Sequence, residues 1–216
     1  MILYEKERQD IIKAGIEMAK TNLVVGTWGN ISRRIDGEDL IAITPSGMDY
    51  FSLKPEDIVI LNMNGEVVDG NRKPSIEYNL HLEVYRQRKD VGAVVHTHST
   101  YCTAFAIARK AIPATAEDLV QIVGGDVRVS EYALPGSMEL AHNAVKALEG
   151  RNAVILANHG ALAAGKNLAE SLKISMIIEK SAQATIYAQM LGGAVQLDQK
   201  DIDFMRDFYL NKYGQR

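Results

Sequence analysis

Apolar residues recur along this chain at two spacings, and the alternation between them sets out the elements. Ile12, Ile16, Ala19 and Leu23 fall at helical spacing and predict an amphipathic opening helix over 5–22, broken by Gly26-Thr27-Trp28-Gly29-Asn30. Leu40-Ile41-Ala42-Ile43 reads as a strand ending at Thr44-Pro45-Ser46-Gly47. The runs 58–61 and 66–68 flank Asn64-Gly65 and predict a hairpin, because Asn-Gly tolerates the positive φ angles of a tight turn. Ser75 reads as the cap of a helix over 76–88. A strand over 91–96, a helix over 101–109 and a short strand at 127–129 follow. Then come a helix over 138–148 closed by Gly150, a strand over 153–157, a long helix over 168–191 and a last one over 199–212. The tail Tyr213-Gly214-Gln215-Arg216 is polar and reads as mobile. Alternating strands and helices predict an α/β protein, and the early hairpin argues for a mixed sheet rather than a purely parallel one.

At 216 residues, 47% hydrophobic and 24% charged, the chain has the make-up of one globular domain spanning 1–216. A net charge of −3 gives no basic footprint, so no nucleic-acid partner is expected. No apolar run approaches the roughly 18 residues of a membrane span, and Met1-Ile2-Leu3-Tyr4-Glu5-Lys6 lacks the form of a signal peptide. The single cysteine, Cys102, excludes an internal disulfide and fits a reducing compartment, so a cytoplasmic location is the default expectation.

Val94-Val95-His96-Thr97-His98-Ser99 places two imidazoles two residues apart at the end of an apolar run. In a strand such residues share a face, so both rings aim at one spot. A second apolar run, Ala153-Val154-Ile155-Leu156-Ala157, ends in Asn158-His159-Gly160. Neutral imidazole is a common zinc ligand, and a catalytic site needs three protein ligands with a position left open. His96, His98 and His159 are therefore candidate ligands of Zn2+, with Mn2+, Co2+ or Fe2+ also able to bind. The alternative is that they pack as ordinary histidines. Glu77, after Pro74-Ser75, is either a fourth ligand or a first-turn charge favoured by the helix dipole. His81 lies four residues further on, so it could chelate with Glu77, stand behind the ligands, or cap a loop. His142 sits in an ordinary-looking helix and receives no role.

Gly26–Ser32, Thr44–Gly47 and Lys73–Ser75 are rich in small hydroxyls and glycine, and together suit a small phosphorylated ligand. No GxGxxG or P-loop pattern occurs, so a nucleotide is not indicated. Trp28, within the first of these loops, reads as a cover for the core rather than a pocket wall.

The ordered set Gly29-Asn30-Ile31-Ser32, Thr44-Pro45-Ser46-Gly47, Pro74-Ser75-Ile76-Glu77, His96-Thr97-His98-Ser99 and Asn158-His159-Gly160 resembles the class II aldolase/adducin family. The likeness runs to Lys212-Tyr213-Gly214 and is strongest to the bacterial L-fuculose-1-phosphate aldolases within that family. The resemblance implies a single-domain α/β/α sandwich with a mixed, largely antiparallel central sheet, and a homotetramer with active sites between subunits. It casts His96, His98 and His159 as zinc ligands, and Glu77 as both acid/base and metal ligand. It further implies that Asn30, Ser46, Gly47 and Ser75, with Thr27 nearby, bind a substrate phosphate, and that Tyr213 reaches a neighbouring subunit's site to protonate the leaving aldehyde oxygen. Two departures stand out. Ile76 replaces a second serine of the pattern, and Ile112-Pro113-Ala114 is followed by Thr115-Ala116-Glu117-Asp118 instead of a tyrosine, leaving Glu117 or Asp118 to enter the pocket.

The implied activity is reversible cleavage of a ketose 1-phosphate, L-fuculose 1-phosphate or a related deoxy-ketose phosphate, into dihydroxyacetone phosphate and a short aldehyde. Breaking that bond leaves negative charge beside a ketone, which a metal stabilises as a Lewis acid by several kcal/mol. The Schiff-base alternative needs a desolvated lysine, and nothing in the sequence singles one out. A dehydratase or decarboxylase of the same fold is the competing enzymatic reading. A non-catalytic module like the adducin head is the third, though its expected loss of the metal histidines is not seen.

Overall fold

The structure is a computed structural model and describes residues 2–215. Met1, first residue of the segment read as lacking a signal peptide, and Arg216, last of the tail read as mobile, lie outside the described residues. The chain begins with helix Glu5–Lys20 (α1), strands Asn30–Arg34 (β1) and Leu40–Ile43 (β2), and a 3-10 turn at Pro55–Asp57. Strands Val59–Asn62 (β3) and Val67–Asp69 (β4), helix Tyr78–Gln87 (α2), strand Ala93–Thr97 (β5) and helices Thr100–Ala108 (α3) and Glu117–Val123 (α4) follow. The remainder comprises strand Arg128–Ser130 (β6), helix Met138–Leu148 (α5), strands Ala153–Leu156 (β7) and Gly160–Gly165 (β8), and helices Leu168–Met190 (α6) and Gln199–Asn211 (α7).

The strands form one eight-stranded sheet in the order β4-β3-β2-β1-β5-β8-β7-β6. Among the described residues, β6–β7 is the one parallel pair, so the sheet is mixed and largely antiparallel as expected. Alternation along the strands sorts side chains between two helix layers. Ile41, Ile43, Val94, Val154 and Leu162 pack with Leu80, Val84, Leu140 and Ala144 of α2 and α5. Ala42 and Val95 face the other way, against Ile11 and Met18 of α1, while Ile155 and Ala163 meet Phe105, Ile174 and Ile178 of α3 and α6. The result is an α/β sandwich with its core on both faces of the sheet.

Three elements depart from the sequence reading. β1, read as part of a loop, is a central strand between β2 and β5. Its residues Asn30, Ser32 and Arg34 put polar groups on the α2 face, so the hydrophobic alternation that marks a strand is missing. β8 is built of glycine, alanine and one leucine, and α4 of only seven residues; neither carries a strong periodic signal. The hairpin forms, but only Gly65 of Asn64-Gly65 has positive φ, at 86°. Its turn closes with the Gly65 N–H on the Asn62 carbonyl at 3.0 Å, and the Asn62 side chain accepts from the Asn64 and Glu66 N–H groups.

Two glycines admit close neighbours around the end of β5. A Cβ on Gly29 (φ 78°) would stand 2.7 Å from the His96 carbonyl oxygen, and one on Gly160 would press into the Thr97 carbonyl oxygen. The backbone of His96-Thr97 is thus gripped from both sides by residues that lack a side chain. Gly160→Ala should force β8 away from β5 and cost about 1–3 kcal/mol, read as a lower urea midpoint with an unchanged slope.

Candidate metal centre

Three stretches of chain deliver the cluster, each for a local reason. His96 lies directly opposite Asn30 of β1 and Leu162 of β8, which turns its ring toward the α2 layer. His98 lies just past the strand, where its N–H donates to the Leu23 carbonyl at 3.1 Å. The chain beyond it is pinned by Glu179 of α6, whose carboxylate accepts from the Ser99 hydroxyl and the Tyr101 and Cys102 N–H groups at 2.6–2.9 Å. His159 stands in the tight β7–β8 turn after Asn158, which adopts left-handed φ of 55°. Glu77 occupies the residue before α2 rather than its first turn, and its N–H donates to the Ser75 hydroxyl at 3.3 Å.

The three imidazole centres form a near-equilateral triangle with sides of 4.7, 4.7 and 4.8 Å. One donor atom from each of Glu77, His96, His98 and His159 lies within 4.8 Å of all the others. His96 Nε2 is 2.9 Å from His98 Nε2 and 3.2 Å from Glu77 Oε2, while His159 Nε2 is 3.5 Å from Glu77 Oε1. His96 Nδ1 donates to the Ala161 carbonyl at 2.9 Å, so its lone pair sits on Nε2 and points inward. Lone pairs facing one another and a carboxylate need a cation between them. Glu77 Oε1 and His159 Nδ1 are also buried without a hydrogen-bond partner among the described residues. The donor set fits a divalent metal ion.

The electrostatics agree. Burial opposes the charge on Glu77, which is only 5% exposed, but the His96 and His159 rings and the Asn30 amide more than offset that, holding its pKa far below the usual range. Burial, reinforced by the neighbouring imidazoles, pushes His98 down to about 3 and His159 to about 4. Both are neutral ligands near pH 7. For His96, burial works downward but contact with Glu77 prevails and raises it.

The cluster floors a cavity of about 300 Å3 walled by Thr27-Trp28, Ser46-Gly47, Ser75-Ile76 and Pro135. The loops carrying Ser46 and Ser75 are joined by a Pro45–Pro74 bridge, with the Ser46 N–H on the Lys73 carbonyl at 3.0 Å. Thr27, Ser46, Gly47 and Ser75 thus gather at one mouth. Asn30 does not line it: its amide nitrogen donates to Glu77 Oε2 at 2.9 Å and its oxygen meets His81. Trp28, expected to cover the core, is instead 67% exposed with its ring 5.7 Å from that of His98. His81 is no chelator. It is fully buried between Ser32 and Asn30, and burial lowers its pKa to about 3. The sequence offered no signal for Pro135 or Tyr85, and Ser32, read as part of an anion-binding loop, instead faces His81 and Tyr85.

Other candidates lie elsewhere. Tyr213 stacks on Tyr209 at 5.5 Å, is 56% exposed, and does not line this chain's own cavity. Neither Glu117 nor Asp118 lines it; Asp118 pairs with Lys180. A larger depression of about 730 Å3 runs beside α1, but its charges answer one another, as in the 3.0 Å pair of Arg33 with Asp10.

Donors that converge beneath an open cleft, rather than closing around an ion on every side, are what metal-dependent catalysis requires. That is the class of enzyme this fold and site define. The family model for "Class II Aldolase and Adducin N-terminal domain" matches residues 9–186, and the chain belongs to that family. It is 38% identical over 215 residues, with both chains fully covered, to a 5-deoxy-D-ribulose 1-phosphate aldolase of Bacillus thuringiensis serovar kurstaki. It is 40% identical over 176 residues to a 5-methylthioribulose-1-phosphate/5-deoxyribulose-1-phosphate aldolase of Rhodospirillum rubrum, covering 82% of this chain and 78% of that one. A solved L-fuculose 1-phosphate aldolase superimposes with a TM-score of 0.92 at 42% identity, covering 95% of this chain and 96% of the other. The chain is accordingly a metal-dependent aldehyde-lyase. Among the described residues, no helix is long and apolar enough to cross a membrane.

Acid should destabilise the metal-free protein. His81, His98 and His159 have folded pKa values below the 6.5 of an unperturbed histidine. As pH falls through about 6.5 the unfolded chain gains protons that the folded one refuses, so stability drops. His96, raised, acts in the opposite sense, but one group does not offset three. With chelator present, the melting temperature should decline steadily from about pH 6.5 to about pH 4.5.

Proposed function

We propose that this chain reversibly cleaves a short deoxy-ketose 1-phosphate, with 5-deoxyribulose 1-phosphate the best fit, to dihydroxyacetone phosphate and acetaldehyde. The observation that carries the reading is Glu77: one carboxylate oxygen is held by Asn30 while the other lies free beside three imidazoles at the floor of the cleft. The two relatives named for 5-deoxyribulose 1-phosphate, at 38% and 40% identity, support this substrate, while the solved L-fuculose 1-phosphate aldolase at 42% supports the longer deoxy-ketose phosphate as the alternative.

His96, His98 and His159, with Glu77 when no substrate is present, would hold Zn2+ or another divalent ion. When bound, the ion supplies Lewis-acid stabilisation of the negative charge developing on the ketone and adjacent hydroxyl oxygens. The protein does the rest. Thr27, Ser46, Gly47 and Ser75 anchor the phosphate at the mouth, and the ketone then reaches down to the cluster. In cleavage, the C4 hydroxyl gives up its proton, the C3–C4 electron pair moves to C3, and Glu77 returns a proton there. In synthesis, Glu77 Oε1 removes that proton from dihydroxyacetone phosphate, a step general-base catalysis typically accelerates about 10²–10⁴-fold.

Tyr213, exposed on this chain, would work on a neighbouring subunit, donating to the aldehyde oxygen during synthesis and accepting from the C4 hydroxyl during cleavage. A homotetramer with sites between subunits accommodates it, and the exposed apolar residues Trp28, Ile76 and Leu134 around the mouth give such contacts a surface. The buried free Cys102 accords with a cytoplasmic setting.

The test follows deuterium exchange at the carbinol carbon of dihydroxyacetone phosphate by NMR. Exchange should vanish with chelator, return with zinc, and fall about 10²–10⁴-fold in Glu77→Gln. Absence of exchange in the zinc-loaded wild type would overturn the aldolase of this donor. In cleavage, kcat/KM should favour 5-deoxyribulose 1-phosphate over L-fuculose 1-phosphate, which is longer by one hydroxymethylene carbon, by about ten- to a hundredfold.

A further inference from the structure

Behind Glu77 runs an unbroken chain of buried polar groups. The Tyr85 hydroxyl lies 2.8 Å from Ser32 Oγ, and Ser32 Oγ lies 2.6 Å from His81 Nδ1. His81 Nε2 meets Asn30 Oδ1, and Asn30 Nδ2 donates to Glu77 Oε2 at 2.9 Å. Two periodicities meet here. His81 and Tyr85 are four apart on α2, Asn30 and Ser32 two apart on β1, so the strand face and the helix face match pair for pair.

The chain has one consistent direction with Glu77 ionised. A carboxylate only accepts, so the Asn30 nitrogen must face it and the Asn30 oxygen must face the ring. That oxygen needs a donor, which puts the His81 proton on Nε2 and leaves Nδ1 to accept from Ser32. Ser32 then accepts from Tyr85. Turning the Asn30 amide over would set N–H against N–H at the ring and oxygen against oxygen at Glu77. Without His81, only the single contact with Glu77 opposes that turn, and the Asn30 oxygen loses the donor that fixes it.

We propose that His81 is the positioning residue of this site: as the Nε2–H tautomer, fixed by Ser32 and Tyr85, it locks the Asn30 amide so that Glu77 Oε2 is committed and Oε1 is left as the proton-carrying oxygen. Its catalytic consequence rests on the reading of Glu77 given above. The orientation of Asn30 does not, and the two fail separately. His81 touches neither substrate nor donor atoms; it acts through Asn30.

His81→Leu keeps the volume and removes both polar ring atoms. It should lower kcat about ten- to a hundredfold, the usual span for a residue that orients a site's working groups, with KM and zinc content close to wild type. His81→Gln, whose terminal nitrogen reaches the place of Nε2, should restore most of the loss. In the metal-free 15N-labelled protein, the Asn30 side-chain amide protons should exchange slowly with solvent and sit at shifts displaced from those of a free asparagine; His81→Leu should speed that exchange and bring the shifts toward the free values, and His81→Gln should not. This arm holds even if the wild type proves inactive on dihydroxyacetone phosphate. Wild-type kcat and unchanged Asn30 exchange and shifts in His81→Leu would overturn the proposal, as would equal losses in the Leu and Gln variants accompanied by loss of zinc. Should His81→Leu not fold, Ser32→Ala frees the tautomer at less structural cost. It should reduce kcat and broaden the Asn30 signals, and no change in either overturns the proposal.

Discussion

Glu77 sits where water hardly reaches, and a carboxylate there must have its charge answered or surrender it. Removing one partner from a buried charge pair typically costs about 3–5 kcal/mol, whereas one hydrogen bond to a charged group returns only about 1.5–3. The Asn30 amide alone is therefore not enough. The inward lone pair of His96 and the nearby His159 ring leave the rest of that charge to a cation, which the donor set is arranged to accept. Carboxylate and imidazoles thus form one interdependent cluster whose burial a bound cation would stabilise.

That unit dictates features far from the chemistry. A strand next to the centre of a sheet would ordinarily be apolar on both faces, yet β1 buries Asn30 and Ser32 against α2. The polar side chains are tolerated because each finds its partner on the helix. Gly29 and Gly160 lie on either side of the His96-Thr97 backbone, where a side chain would push the neighbouring strands apart. Glu179 secures the turn after His98 from the opposite layer. The floor of the cleft is accordingly rigid, while its rim is made of loops and exposed apolar residues. This division suits an enzyme that must fix the reacting atoms and still admit a flexible sugar phosphate.

The histidine pair and the histidine just beyond β7 were legible as a possible cluster, because strand period and ligand chemistry act over a few residues, whereas Glu77 was left between a ligand and a first-turn charge. The helices other than α4, and the β2, β5 and β7 strands, were legible for the same reason. β1 was not, since its buried face is polar, and β8 was not, since alanine and glycine show no contrast between faces. Trp28 was misjudged because an indole is apolar enough for a core, and only the path of its loop sets it beside His98.

By itself, the sequence determined which groups could bind a metal and which periodic segments would pack, for both are written in residue type and local spacing. Only the tertiary structure decided that His81 stands behind the metal donors rather than among them, and that Asn30 serves Glu77 rather than the cavity wall. The hydrogen bonds that make those assignments join residues 47–53 positions apart, and no local pattern can encode a pairing that exists only after β1, α2 and β5 have come together.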